Sequence, residues 1–246
     1  IMNSDAPVEK KNEFLAPVLS GQHFGSFGLT EPNAGSDAGG CVTVAEKDGD
    51  EYILNGMKCF NTNGPLADYT AVYALTEPEK KAKGLSCFVV KKGTPGFSVG
   101  KVEDKMGIRS AQVSEMILEN VRVPAENMIV PSGDGFKLAM KTLDGGRIGV
   151  AAQGLGIAEG AFEIAKEYLE QFGKPLYRNQ YLAFKMAELE MEIDAAKLML
   201  YKAAADKQEG RRYSIPAAKA KDLWTEAAMH VTTEAVQMLG GNGYMK

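Results

Sequence analysis

Histidine, cysteine and tryptophan are nearly missing from this sequence, whose 246 residues hold two, three and one of them. Cys41, Cys59 and Cys87 are widely spaced and odd in number. That pattern fits neither a metal motif nor a disulfide framework, and it points to a reducing compartment. His23 and His230 lie far apart in the chain, and each reads as a structural residue rather than a ligand. A long apolar run is absent too, so no segment reads as a bilayer span. The first residues, IMNSD, have neither the basic start nor the apolar core of a signal peptide. Nor is there a surplus of positive charge. The 28 Lys and Arg stand against 32 Asp and Glu, a net charge of −4, which argues against a nucleic-acid partner held by bulk charge. Internal repeats and low-complexity segments are likewise missing. What remains is 45% apolar and 24% charged, the composition of a soluble globular protein. The length gives room for two modest domains or one large one.

The chain divides by its hydrophobic period. Across 24–131, short apolar runs such as 69–75 and 85–90 alternate with clusters of Gly, Pro, Asp and Asn, as strands do. KDGDEYILNG reads as a hairpin, with Asp48-Gly49 as its turn pair between strands at 42–45 and 52–54. Turn signals recur throughout this half, which favours a sandwich or barrel over βαβ units. From about Gly135 the period becomes helical, with segments expected over 135–171, 178–209 and 215–239. Leu182, Met186, Leu189, Ile193, Ala196 and Leu200 follow helical spacing. Ser214 and Pro216 look like the cap and first turn of the last helix, and Gly240-Gly241 closes it. The expected fold class is α+β: a central antiparallel β-barrel or sandwich domain at 24–131, then an up-down helical bundle at 132–246. Residues 1–23 read as the end of a preceding helical domain, with 10–15 a short amphipathic turn. The bundle reads as incomplete, and the chain as cut short at both ends.

Several stretches ask for more than a structural explanation. FGLTEPNAGSDAGG at 27–40 leaves an apolar strand and packs hydroxyls, amides and glycines more densely than a surface turn needs. CFNTNG at 59–64 has the same form, an aromatic followed by small donors and a glycine, so two strand ends could rim one polar pocket. In LDGGRIGVAAQ at 143–153, two glycines interrupt a helix at a cost of about 1 kcal/mol each. Asp144 and Arg147 there share a face, either as a local ion pair or as ligand groups. GLGIAEG at 154–160 nearly matches a dinucleotide fingerprint, but Glu159 stands where the third glycine belongs and the stretch lies within a helical pattern. Small residues for close helix packing explain it better.

Together FGLTEPNAGSDAGG, CFNTNG, ENVRVPAENMI, LDGGRIGVAAQGLGIAEGAF, QFGKPL and QMLGGNGYMK resemble the acyl-CoA dehydrogenases, in the right order and at the right intervals over essentially the whole chain. LDGGRIG is most similar to the short-chain, butyryl-CoA branch, many of whose bacterial members work beside an electron-transferring flavoprotein. The resemblance implies a helical domain before the β domain, a homotetramer or dimer, and FAD at a subunit interface. It places Phe27, Leu29 and Thr30 along the flavin, with backbone groups and the Thr30 hydroxyl bonding its pyrimidine side. Ser36 would touch both the FAD pyrophosphate and the thioester ligand. Phe60 would lie against the flavin, with Asn61 beside it and the Thr62 hydroxyl near N5. Gln180, Gln237, Gly240 and Gly241 would hold the ADP part, and Asp144 and Arg147 the substrate.

The implied reaction is α,β-dehydrogenation of a short-chain acyl-CoA in a bacterial cytoplasm. In this branch the base is a Glu in a segment that follows GGNGYMK, and the position used by a second branch is Gly146 here, so no residue of the chain is assigned as catalytic. Two further departures stand out. The run before QFGKPL is about three residues short and lacks an arginine that grips the pyrophosphate, and Ala111 replaces a serine that contacts CoA. Alternatives are an enoyl-CoA reductase direction, another CoA ester, or a non-catalytic flavin-binding chain.

Overall fold

The computed structural model describes residues 1, 4, 6–171 and 175–245, so Phe172, Gly173 and Lys174 of the QFGKPL stretch and the terminal Lys246 lie outside it. Two compact units divide the chain, Ile1–Lys141 and Thr142–Lys246.

The first unit opens with helix α1 (Val8–Leu19), a longer element than the short turn expected at 10–15. Its one fully buried side chain, Phe14, meets Tyr69 edge-on at 5.4 Å, and the ammonium groups of Lys10 and Lys91 lie 5.7 and 5.5 Å from its ring centre. Eight strands follow: β1 (Gly25–Gly28), β2 (Val44–Asp48), β3 (Glu51–Thr62), β4 (Tyr69–Leu75), β5 (Leu85–Lys91), β6 (Phe97–Val102), β7 (Val113–Pro124) and β8 (Met128–Val130). They form one sheet in the order β6-β7-β3-β2-β4-β5-β8, with β1 paired to β4 off that path. Most pairings are antiparallel, but β1–β4 and β2–β4 are parallel, so the sheet is mixed.

Strands β4 and β5 are apolar at nearly every position because both of their faces are covered. Tyr73, Leu75, Cys87 and Val89 point into one core with Phe14 and Leu29; Val72, Ala74, Phe88 and Val90 point into the other with Leu54 and Leu118. The β2–β3 hairpin is present, but Asp48 pairs with Glu51, so the turn centres on Gly49-Asp50, one residue later than the sequence suggests. Gly49 has φ 59°, the left-handed value that a tight hairpin takes at its first central residue.

Helix α2 (Gly135–Glu170) begins in the first unit and continues into the second, where α3 (Gln180–Gln208) and α4 (Ser214–Met238) complete the helical set. Leu155, Phe162 and Leu169, Leu189, Ile193 and Leu200, and Trp224 and Val231 are buried four or seven residues apart, one helix face repeating every one or two turns. Asn179 caps α3 by accepting the Tyr181 N–H at 3.0 Å. Ser214 does not cap α4. The helix already includes it, and its hydroxyl donates to Asp144. Of the GLGIAEG glycines, Gly154 packs against α4, where an added Cβ would stand 3.2 Å from the Trp224 carbonyl oxygen, whereas Gly156 and Gly160 meet nothing within 4 Å.

Candidate functional site

The two polar strand ends of the first unit come together. The stretch that leaves β1 runs beside the end of β3, and the Cys59 N–H donates to the Thr30 carbonyl at 2.9 Å. One strand away, the Ser26 hydroxyl donates to the Thr62 carbonyl at 2.8 Å. At this join β3 departs from regular pairing: its register with β7 shifts between Lys58 and Asn61. Phe60 sits in that irregularity with φ 57°, a left-handed backbone that a bulky residue rarely adopts, and its side chain is 66% exposed. A bulge of this kind re-aims a side chain, and here it turns a large aromatic out of the sheet.

The other expected residues sort by what they can offer. Phe27 and Leu29 turn their side chains into the apolar core, Phe27 edge-on to Tyr73 at 5.3 Å, which leaves their backbone for a ligand. Asn61 is buried, with its amide nitrogen on the Ser114 carbonyl at 3.1 Å and its side-chain oxygen unpartnered. The hydroxyls of Thr30, Ser36 and Thr62 have no hydrogen-bond partner among the described residues. Ser36 is exposed beyond the turn that Glu31 and Ala34 close with mutual 3.1 Å bonds. Next to it opens a groove of about 660 Å³, lined among others by Asp37, Gly40, Val44, Leu75, Pro78 and Lys81. Lys81, with φ 50° and ψ −131°, is another positive-φ residue and lines the same groove.

In the second unit Asp144 and Arg147 form an ion pair on α2. Asp144 is engaged on both oxygens, one by Arg147 and the other by Ser214. Lys207 reaches the same end of the unit, its ammonium 3.2 Å from where a Cβ on Gly145 would stand. Nearby Asp206 accepts from Arg211 at 2.8 Å and Lys202 at 3.2 Å, and the Arg211 and Lys202 bonds hold its carboxyl below the ordinary value. Gln180 starts α3 and Gln237 lies near the end of α4, both exposed. Gly240 has φ 57° and begins the short 3-10 turn that contains Gly241.

Residues 26–121 match the family model described as acyl-CoA dehydrogenase, middle domain, and residues 133–246 match acyl-CoA dehydrogenase, C-terminal domain. The chain belongs to the acyl-CoA dehydrogenase family. It is 53% identical over 239 residues to the short-chain specific acyl-CoA dehydrogenase of Megasphaera elsdenii, covering 96% of this chain and 62% of that protein. The solved butyryl-CoA dehydrogenase of the same organism matches with a TM-score of 0.92 at 53% identity, over 96% of this chain and 62% of that one. A solved chain described as the electron transferring flavoprotein of Acidaminococcus fermentans matches with a TM-score of 0.94 at 50% identity, over 97% of this chain and 64% of that one. This acyl-CoA dehydrogenase chain thus spans less than two thirds of the length of these relatives.

One feature of this family member escaped the sequence reading. Lys58 and Glu31 form an ion pair at 2.6 Å with side chains 0% and 1% exposed. Lys58 also donates to the Leu29 carbonyl at 3.2 Å, and Glu31 accepts the Val42 and Thr43 N–H groups at 2.7 and 3.0 Å. Burial alone would raise the Glu31 carboxyl, but the Lys58 charge and these hydrogen bonds outweigh it and hold the carboxyl below its ordinary value. The available signal was parity: Lys58 falls in the phase of Leu54 and Gly56, the phase that β3 turns inward. Nothing local pointed to Glu31 as its partner.

The donor set of the first unit suits a flat heteroaromatic ligand. It combines unengaged hydroxyls, an orphaned buried amide oxygen and a projecting aromatic ring on adjacent strand ends. These are the groups that an isoalloxazine ring, with its carbonyls and ring nitrogens, would use, so the residues present fit FAD.

Proposed function

We propose that this protein is an FAD-dependent short-chain acyl-CoA dehydrogenase that removes hydrogen across the α,β bond of a small acyl-CoA thioester such as butyryl-CoA. The observation that carries the reading is the juncture of the two polar strand ends, where the Cys59 N–H meets the Thr30 carbonyl beside the outward-turned Phe60. FAD, when bound, supplies the acceptor for the β-hydrogen and its electron pair.

The rest is done by the chain. Thr30, Asn61 and Thr62 would bond the polar edge of the flavin, with Phe27 and Leu29 contributing backbone groups, and Phe60 would cover an aromatic face and exclude water. Donors fixed where negative charge develops cost no reorganisation during the reaction. Ser36, which precedes the groove-lining Asp37, would bond both pyrophosphate and thioester ligand, and the glycines on either side leave the backbone approachable. Asp144 and Arg147 would orient the substrate. The basic groups gathered at that end of the second unit, Arg147, Lys207 and Arg211, suit the anionic part of a CoA ester. Gln180, Gln237, Gly240 and Gly241 would hold the ADP portion, partly across a homotetramer or dimer contact. The weakly acidic α-proton needs a carboxylate base, and none of these 246 residues is assigned that role.

Electrons would pass on to an electron-transferring flavoprotein, a reading supported by the 50% identity to the Acidaminococcus chain. No helix of the described residues is long and apolar enough to cross a membrane, and we place the activity in the bacterial cytoplasm. We assign a β domain to 24–131 and a helical domain to 132–246.

The test is a visible spectrum of the purified protein followed by anaerobic butyryl-CoA. Flavin bands are expected, and with these 246 residues, to which no base is assigned, they should persist. Bleaching would overturn the reading that these residues hold no base, and a colourless protein that takes up no added FAD would overturn the flavin site itself.

A further inference from the structure

We propose that the buried Lys58–Glu31 pair is a positioning element of the flavin site, locking the stretch that carries Thr30 against the strand end that carries Phe60, Asn61 and Thr62. This inference rests on the function proposed above. Its geometry is independent of it.

A buried ion pair is a poor stabiliser of a fold, because desolvation offsets the attraction. Its better-attested use is to specify one arrangement among competitors. Here every bond of the pair joins the same few segments. Lys58 reaches back to the Leu29 carbonyl, one residue before Thr30, and Glu31 follows Thr30 directly. Glu31 then grips the amides of Val42 and Thr43, so the loop between them is closed at both ends. On the other strand, Lys58 is the last residue before the register with β7 is lost. Cys59 gives its N–H to Thr30, and Phe60 adopts the left-handed backbone. A strained residue persists only where its surroundings over-determine it. The pair supplies that constraint from one side, and the Asn61–Ser114 bond supplies it from the other. Replacing the pair by apolar groups should therefore spare the fold and loosen the site.

Two variants of the full-length protein test this: Lys58→Met, and the charge-free double Glu31→Gln/Lys58→Met, which keeps the shape and one acceptor of Glu31. Hydrogen exchange is read on the apoprotein at Cys59, Val42 and Thr43, with Val72 and Phe88 in the sheet centre as reference. FAD affinity and the visible band positions are read on reconstituted protein, and thermal midpoints on both. The double variant is expected to melt within a few degrees of the parent. Its Cys59 amide should exchange at least tenfold faster with the reference amides unchanged, and its FAD dissociation constant should rise at least tenfold with shifted bands. Lys58→Met should show the same local changes and a lower midpoint. Parent-like Cys59 exchange in both variants would overturn the proposal, as would faster exchange with unchanged FAD affinity and spectrum. A parent protein that binds no flavin would overturn the proposed function instead, and the exchange at Cys59 would still decide whether the pair fixes the strand ends.

Discussion

Phe60 holds a backbone angle that costs a residue with a side chain about 1–2 kcal/mol relative to the right-handed regions. The ring, 66% exposed, recovers little of that through burial, which suits the role proposed for it over the flavin. The strain and the ring can be separated. Phe60→Ala keeps the angle and loses the ring, whereas Phe60→Gly loses both. Urea denaturation should find Phe60→Gly more stable than Phe60→Ala by about 1 kcal/mol, while FAD titration should find both weakened. Equal stability of the two variants would mean that the bulge relaxes once the ring is gone. The aromatic itself was legible in CFNTNG because an apolar side chain followed by small donors is odd at a strand end. Its backbone angle was not, since nothing local demands it; the angle follows from the lost register between β3 and β7.

At the scale of elements, glycines divide by what surrounds them. Gly84, the last residue before β5, is packed so that an added Cβ would stand 1.9 Å from the Glu77 carbonyl oxygen. That oxygen is backbone and cannot swing aside. Gly84→Ala should therefore cost about 1–3 kcal/mol by overpacking, measured by chemical denaturation, and should distort the segment over Pro78–Gly84 that rims the groove. Gly146 is the opposite case, mid-helix in α2 with nothing within 4 Å of an added methyl. Gly146→Ala should gain about 0.5–1 kcal/mol of helix propensity. If Asp144 and Arg147 hold the substrate, it should also weaken acyl-CoA binding by narrowing the approach between them; a raised melting temperature with unchanged acyl-CoA affinity would argue against close approach there. The long helices were readable because their apolar periodicity runs through many turns, and β4 and β5 because burial on both faces writes a continuous apolar run. Helix α1 was underestimated since its only buried residue is Phe14, too weak a stripe to mark its length, and Pro17 lies inside it.

Across the described residues, four carboxylates in different places are held below their ordinary values. Lys91 and Lys10 lower Glu13; at Glu31 the cost of burial is outweighed by Lys58 and backbone N–H groups; Lys80 and Ser132 lower Glu77; Arg211 and Lys202 lower Asp206. A lowered folded-state value means that the native state favours the charged form. The stability contributed is full above the ordinary carboxylate range and is lost as pH falls through the lowered values. The urea midpoint should therefore drop between pH 5 and pH 3 (about the span of ordinary carboxylate titration), and Asp206→Asn should flatten part of that drop. A slope unchanged in Asp206→Asn would mean that its partners find other acceptors.

The order of strands before helices, the α+β class, the family and the cluster of polar strand ends all followed from the sequence alone, because each is written in local pattern: period, turn residues and the spacing of small donors. The parallel pairings of β1 and β2 with β4, the one-residue shift of the hairpin turn, the diversion of Ser214 from cap to Asp144 and the Lys58–Glu31 pair were decided only by the tertiary structure. These depend on which distant segments meet. For a buried charge in particular, the partner is chosen by desolvation at one point in space, and no local pattern carries that information.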